Sequence, residues 1–238
     1  MAPSGKSVSI VVPTRNEVEN IRSLVEQIVA VRVPFQEIIF VDDNSNDGTR
    51  ELIVSLAKTN PVRLFEQDAS EPGLAAAIMA GARAATGDLL LVMDADLSHP
   101  PERIGELLAP VLSGKADLVI GSRYVPGGST PGWPIWRTIL SRVGSAFAYP
   151  LTGVRDSMCG FFAIERQRLI QIAPPTVGFK IAFETIVRGK PSLRVLEIPI
   201  AFRNRAHGRS KMSLGVAFHF FLRWLAAVFQ RAFRRTQN

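Results

Sequence analysis

Three short apolar runs in the first hundred residues each stop on a polar cluster, and that repeated stop limits the fold more than any other feature. VSIVV (8–12) gives way to P13-T-R-N-E17, EIIFV (37–41) to D42-D-N-S-N-D-G48, and LLLVM (89–93) to D94-A-D96. Apolar runs of about four to eight residues bounded by turn chemistry read as strands buried on both faces. Between them the spacing becomes helical. Ile21, Leu24, Val25 and Ile28 follow the first run, with Asn16 placed to cap their helix and Glu19 in the reciprocal position. A second helix continues from DDNSNDGT to about residue 59. GLAAAIMAGARAA (73–85) predicts a small-residue helix suited to close packing on a sheet. VRLFE (62–66) and ADLVIG (116–121) supply further strands, with a helix starting near Pro101 before the last.

This alternation predicts an α/β fold, a mostly parallel central sheet flanked by helices with ligand sites at the carboxyl ends of its strands. No G-x-G-x-x-G follows the first strand, which removes the main support for ordinary dinucleotide binding. Residues 125–137 (VPGGSTPGWPIWR) carry too many Pro and Gly for a regular element and read as a loop free to move over a site. A helix at 138–149, an apolar segment at 159–164, a helix near 179–188 and a strand near 193–201 continue one domain, taken as 1–212, with 213–238 a separate C-terminal segment.

Charge is unevenly distributed. The chain has 238 residues and a formal charge of +7, from 28 Lys and Arg against 21 Asp and Glu. Eight of those basic residues and no acidic one fall in 198–238, so the main body, 20 against 21, is nearly neutral and the partner-facing charge sits at the end. Cys159 is the only cysteine, which excludes an intrachain disulfide and makes a reducing compartment the simpler expectation. MAPSGKSVSIVV reads as a tail entering the first strand, not as a signal or anchor.

Alternate residues of an extended segment share a face, so Asp94 and Asp96 can emerge together. Two such oxygen donors suit Mg²⁺ or Mn²⁺ held mainly through a substrate's phosphates, although one Asp orienting a turn and the other capping a helix fits the same spacing. Asp42, Asp43, Pro13, Arg15 and Glu17 end neighbouring strands, and convergence of these groups on one sheet edge favours a site for a nucleotide or other charged ligand.

Taken in order, V12-P-T-R-N-E17, V41-D-D-N-S-N-D-G-T49, D94-A-D-L-S-H-P-P-E102, G121-S-R-Y-V-P-G-G128, R155-D-S-M-C-G-F161 and R205-A-H-G-R-S-K-M212 resemble family 2 glycosyltransferases of the GT-A fold, and within them the dolichyl or polyprenyl phosphate mannose synthase group. The resemblance implies inverting transfer of mannose from GDP-mannose to dolichyl or polyprenyl phosphate. It places Pro13, Arg15, Glu17, Asp42 and Asp43 in the nucleotide pocket and Asp94 and Asp96 on a divalent cation, Mg²⁺ or Mn²⁺. Related sequences often carry Gln where Ser98 stands; the shorter serine argues for an intervening water rather than direct metal contact. Arg123, Arg142, Arg205, Ser210 and Lys211 fall in the acceptor-binding motifs, and Arg137 is a lesser candidate that orders the loop.

The implied chemistry is direct displacement by an acceptor phosphate that is already ionised near pH 7, so no Ser, Cys or His nucleophile is required. Asp96, Arg123 and Asp156 are the residues expected closest to the reaction, with Asp156 orienting sugar or acceptor and organising nearby arginines rather than abstracting a proton. His99 reads as helix-start structure or as support behind the site, and Cys159 as packing.

L214–F229 is apolar but interrupted by His219 and Arg223, short of a spanning helix. With Trp224 and the basic R231-A-F-R-R235 it predicts an amphipathic C-terminal helix at an anionic membrane surface or against a partner. The implied location is the cytoplasmic face of a membrane, peripheral or anchored through a small membrane subunit. Transfer of glucose or another sugar from its nucleotide to polyprenyl phosphate is the alternative enzymatic reading. A nucleic-acid partner is not expected, because no recognition helix or aromatic single-strand motif accompanies the basic end. A purely structural peripheral membrane protein is the remaining alternative.

Overall fold

The computed structural model describes residues 5–68, 70, 72–173 and 180–206. The elements are β1 (Val8–Thr14), α1 (Val18–Ala30), β2 (Glu37–Asp42), α2 (Thr49–Leu56), β3 (Val62–Glu66), α3 (Leu74–Ala84), β4 (Leu89–Val92), α4 (Ile104–Leu112), β5 (Leu118–Ser122), α5 (Ile135–Thr152), β6 (Phe162–Glu165), α6 (Arg166–Ile172), α7 (Ile181–Gly189) and β7 (Val195–Pro199). A single 3-10 turn, Pro101–Arg103, opens α4, as the proline at its head favours.

The strands form one seven-stranded sheet in the order β3-β2-β1-β4-β6-β5-β7. All neighbours pair in parallel except β6, which runs antiparallel to both β4 and β5. The parallel half follows from the hydrophobic runs: Ile10, Val11 and Val12 of β1 are buried, as are Ile38 to Val41 of β2 and all of β4. Helices cover such strands on both faces, leaving no polar side to alternate. The reversal at β6 sends the turn before it, Asp156–Gly160, to the same sheet edge as the turns after β4 and β5.

Two expectations change on inspection. Asn16 does not cap α1; it adopts a left-handed φ of 54°, and its side-chain oxygen accepts the Asn46 N–H instead. The asparagine is spent joining the β1 and β2 turns, and Glu17 occupies the capping position without a side-chain cap. The segment 125–137 is a tied loop rather than a loose one. Ser129 bridges Ala201, with Ser129 N–H on the Ile200 carbonyl and Phe202 N–H on Ser129, and its last residues already belong to α5.

Small residues let α3 approach β1 and β2. A Cβ on Gly81 would stand 2.5 Å from Val11 Cγ1 and 2.9 Å from Val41 Cγ2, so the helix sits at a distance only glycine permits. Gly81→Val is expected to destabilise the protein by about 3 kcal/mol in urea unfolding, because strands buried on both sides have nowhere to move. Gly105→Ala, whose Cβ would meet only Val33 at 3.4 Å, is expected to be neutral or stabilising by up to about 1 kcal/mol.

Candidate active site

The ends of β1 and β2 form one half of the site. The Asp43 N–H donates to the Thr14 carbonyl, tying the two turns together, and Arg15 reaches Asp43 at 3.3 Å. Asp43 also accepts the Gly73 N–H at the head of α3. Asp42 is fully buried and acts within its own turn. Its carboxylate accepts Arg50 Nε at 2.6 Å, together with the Ser45 N–H and hydroxyl. Glu17 is buried and accepts Asn20 Nδ2 at 2.7 Å, and Pro13 lies within β1 opposite Val41.

The turn after β4 holds the other carboxylates. Leu97 takes a left-handed φ of 62°, which folds Ser98 back so that its N–H and hydroxyl donate to Asp96 Oδ1 at 3.0 and 2.5 Å. Asp96 Oδ2 pairs with Arg205 Nε at 3.0 Å. The chain following β7 is stitched to this turn, since Arg203 N–H donates to the Ser98 carbonyl and Ala206 N–H to that of Asp96. Asp94 is the more open of the two, with about a third of its side chain exposed, and its N–H donates to His99 Nδ1 at 2.9 Å.

Among the described residues no group of three or more His, Cys, Asp or Glu converges, so a cation at Asp94 and Asp96 would have these two carboxylates as its acidic ligands. Two carboxylates alone hold Mg²⁺ or Mn²⁺ weakly and leave most positions to water and substrate phosphates, the arrangement usual for a cation carried on a diphosphate. Ser98 uses its hydroxyl on Asp96.

The third region is cationic. Arg123 follows β5 and makes a bidentate pair with buried Asp156, Nε and Nη2 each at 2.7 Å from one carboxylate oxygen, while its own N–H donates to Asp156 Oδ2 at 2.9 Å. Glu197 of β7 accepts the Arg155 and Asp156 N–H groups and fixes that turn. Burial opposes the Arg123 charge, but Asp156 outweighs it and holds the guanidinium pKa above its ordinary value. The rings of Tyr124, Trp133 and Phe202 surround the guanidinium at 5.1, 5.5 and 5.3 Å.

Arg137 stacks on Trp133 at 3.9 Å. Burial lowers its pKa, and repulsion from Arg205 and Arg123 adds to this while Asp96 opposes it, so these charges share one small region. Arg142 is exposed and, among the described residues, meets the region through the Tyr124 ring, at 5.7 Å, with Tyr124 in turn donating to the Ser141 hydroxyl.

Asp94, Asp96, Arg123, Asp156 and Arg205 are thus assembled at one sheet edge. Ser210 and Lys211 lie outside the described residues, as does the C-terminal segment 213–238. His99 is fully buried, and burial lowers its pKa against the pull of Asp94 and Asp96. Cys159 is buried too, its thiol pushed up to about 12 by desolvation and by Asp156, which leaves it a packing group. Lys180 was not legible. At the head of α7 its ammonium pKa is lowered by burial and then by Arg123, with Asp94 and Asp156 opposing, which places it in the same cluster. The one sequence signal was a lysine directly before the apolar helix start I181-A-F183.

The family model described as Glycosyl transferase family 2 matches residues 9–187. A dolichol-phosphate mannosyltransferase of Pyrococcus furiosus is 38% identical over 218 residues, covering 90% of this chain and 61% of that protein, so the chain spans under two thirds of that relative's length. The dolichol-phosphate mannosyltransferase of Saccharomyces cerevisiae is 36% identical, covering 86% of this chain and 80% of that one. Polyprenol monophosphomannose synthase of Mycolicibacterium smegmatis is 38% identical, again covering 86% and 80%. Among solved structures, glucosyl-3-phosphoglycerate synthase from Mycobacterium tuberculosis in complex with Mn²⁺, UDP and glucosyl-3-phosphoglycerate superposes with a TM-score of 0.71 over 95% of this chain and 80% of that one. At 20% identity that likeness speaks for the fold alone. With the family model covering three of every four residues and relatives at this level of identity, the chain belongs to glycosyltransferase family 2 and carries the GT-A fold.

Proposed function

We propose that this enzyme transfers mannose from GDP-mannose to dolichyl or polyprenyl phosphate with inversion, releasing GDP. The observation that carries it is the meeting of a carboxylate pair, Asp94 and Asp96, with the cationic groups Arg123, Arg137, Lys180 and Arg205 at one end of the sheet. A reaction between two phosphate-bearing substrates needs both kinds of group side by side. The names of the relatives support mannose as the sugar and a lipid phosphate as the acceptor.

In this mechanism Pro13, Arg15, Glu17 and Asp43 line the nucleotide pocket, and Asp42 shapes it by fixing its turn through Arg50 and Ser45. A divalent cation on Asp94 and Asp96, when bound, offsets charge on the donor diphosphate. An oxygen of the lipid phosphate forms the new bond to the anomeric carbon while the bond to the GDP oxygen breaks, its electron pair leaving with GDP. The acceptor brings no proton that must be removed, which agrees with Asp156 spending both oxygens on Arg123. Arg137, Lys180 and Arg205 hold the acceptor phosphate against repulsion from the donor, with Arg142 acting at the rim; Ser210 and Lys211 are assigned to the acceptor by their sequence motif alone.

The acceptor's hydrocarbon chain stays in a bilayer, so the membrane must lie beside Arg137. α5, which carries Arg137, has no acidic residue and exposes Ile135 (79%), Trp136 (65%), Ile139, Leu140 and Val143. Basic and aromatic residues beside an apolar stripe suit an anionic interface. No described helix is long and apolar enough to cross a membrane. Peripheral attachment through the exposed apolar face of α5 is the mode proposed, on the cytoplasmic face of the membrane, and the apolar and basic sequence of 213–238 suits the same interface.

In detergent with a short polyprenyl phosphate and Mn²⁺, GDP-mannose is expected to be consumed in preference to UDP-glucose, UDP-galactose and UDP-N-acetylglucosamine. Chelation should stop turnover and Asp96→Ala should lower it by about 100-fold or more. Preference for another donor would reject mannose and retain the acceptor class. Ile139→Glu with Val143→Glu is expected to reduce sedimentation with phosphatidylglycerol vesicles about tenfold while leaving turnover of detergent-dispersed short acceptor intact. Unchanged vesicle binding would remove α5 from the interface.

A further inference from the structure

We infer that His99 is a positioning residue for the reaction: through Nδ1 it fixes the backbone of Asp94 and so sets the aim of that carboxylate at the cation. The inference rests on Asp94 and Asp96 being the cation's ligands. The two carboxylates are held by unlike devices. Asp96 is gripped at its side chain by Ser98 and Arg205. Asp94 is held at its peptide, where its N–H donates to His99 Nδ1 at 2.9 Å, and no described side chain donates to its carboxylate at hydrogen-bond distance.

His99 cannot drift. It is 1% exposed, stacked on Phe161 with ring centroids 5.1 Å apart and 14° between planes, and edge-on to Phe202 at 5.3 Å. Phe161 immediately precedes β6, and Phe202 lies on the segment that carries Arg205. The imidazole therefore registers Asp94 against the two chains that border the site. Gly160 leaves the room this needs, since a Cβ there would stand 3.3 Å from Asp94 Oδ1 and 3.4 Å from His99 Cε1. With Nδ1 accepting, the ring proton resides on Nε2, which faces Asp94 Oδ2 at 3.8 Å and Cys159 Sγ at 3.9 Å. Groups that orient a metal's ligands commonly change its affinity by about 10- to 100-fold when removed.

The test separates packing from acceptance of the N–H. His99→Phe keeps an aromatic ring between Phe161 and Phe202 without an acceptor; His99→Asn loses the ring and keeps an oxygen near the Nδ1 position. Binding of Mn²⁺ in the presence of GDP, followed by the free-ion electron paramagnetic resonance signal, is expected to weaken about tenfold or more in His99→Phe and to recover substantially in His99→Asn. GDP binding under chelation should be unchanged in both. Wild-type Mn²⁺ affinity in His99→Phe, or equal losses in the two variants, would overturn the inference while leaving the Asp pair in place. Absence of Mn²⁺ binding by the wild type with GDP would instead remove the Asp pair as ligands, and the inference with it. Nitrogen NMR of ¹⁵N-histidine-labelled wild type needs no variant: the buried ring must show a bare Nδ1 and a protonated Nε2, and the opposite tautomer contradicts the assignment.

Discussion

The buried pair between Arg123 and Asp156 is the interaction on which the rest of the site depends. Both groups are at least nine-tenths buried, and each uses its charged atoms on the other. Breaking such a pair by removing one partner leaves an uncompensated buried charge, a cost of about 3–5 kcal/mol. The pair also has a topological consequence, because Arg123 leaves β5 while Asp156 belongs to the turn before the antiparallel β6. It locks the one reversed strand to its neighbour at the end where the chemistry belongs, and Arg123 then carries the aromatic wall of Tyr124, Trp133 and Phe202 around it.

From that fixed point, charge separates across a short distance. On one side, the β1, β2 and β4 turns offer carboxylates; on the other, burial lowers the pKa of Arg137 and Lys180 below their ordinary values, with repulsion from Arg205 and Arg123 adding to this at Arg137 and from Arg123 at Lys180. A region that works against its own cations gains from receiving an anion. Arg205 spans the divide by pairing with Asp96, so the chain running from β7 toward the C-terminal segment is attached directly to the carboxylate turn.

The parallel half of the sheet was legible because each of its strands is an uninterrupted apolar run ended by polar residues. β6 was not, since F162-A-I-E165 is equally consistent with a parallel strand, and nothing local encodes the direction of a pairing made across 70 residues. α5 was read too short because Trp-Pro before Ile135 masks a start that proline favours. Asp94, Asp96, Arg123, Asp156 and Arg205, which the fold brings to one sheet edge, are singled out through ordered motifs. Lys180 and the aromatic ring around Arg123 escaped because their meaning lies in distant segments brought together: Trp133, Phe202 and Lys180 come from three separate loops. Asn16 misled for a related reason, as a good capping residue has an equally good tertiary use in joining two turns.

The central claim is that the carboxyl edge of this sheet binds a nucleotide diphosphate and a divalent cation as one unit. Calorimetric titration of GDP into the wild-type protein, with Mn²⁺ and then with chelator, tests it most directly. Coupled binding predicts an affinity for GDP at least about tenfold higher with Mn²⁺, and by linkage the same factor for Mn²⁺ when GDP is present. Equal GDP affinity with and without the cation would contradict the account, leaving Asp94 and Asp96 as turn and cap residues.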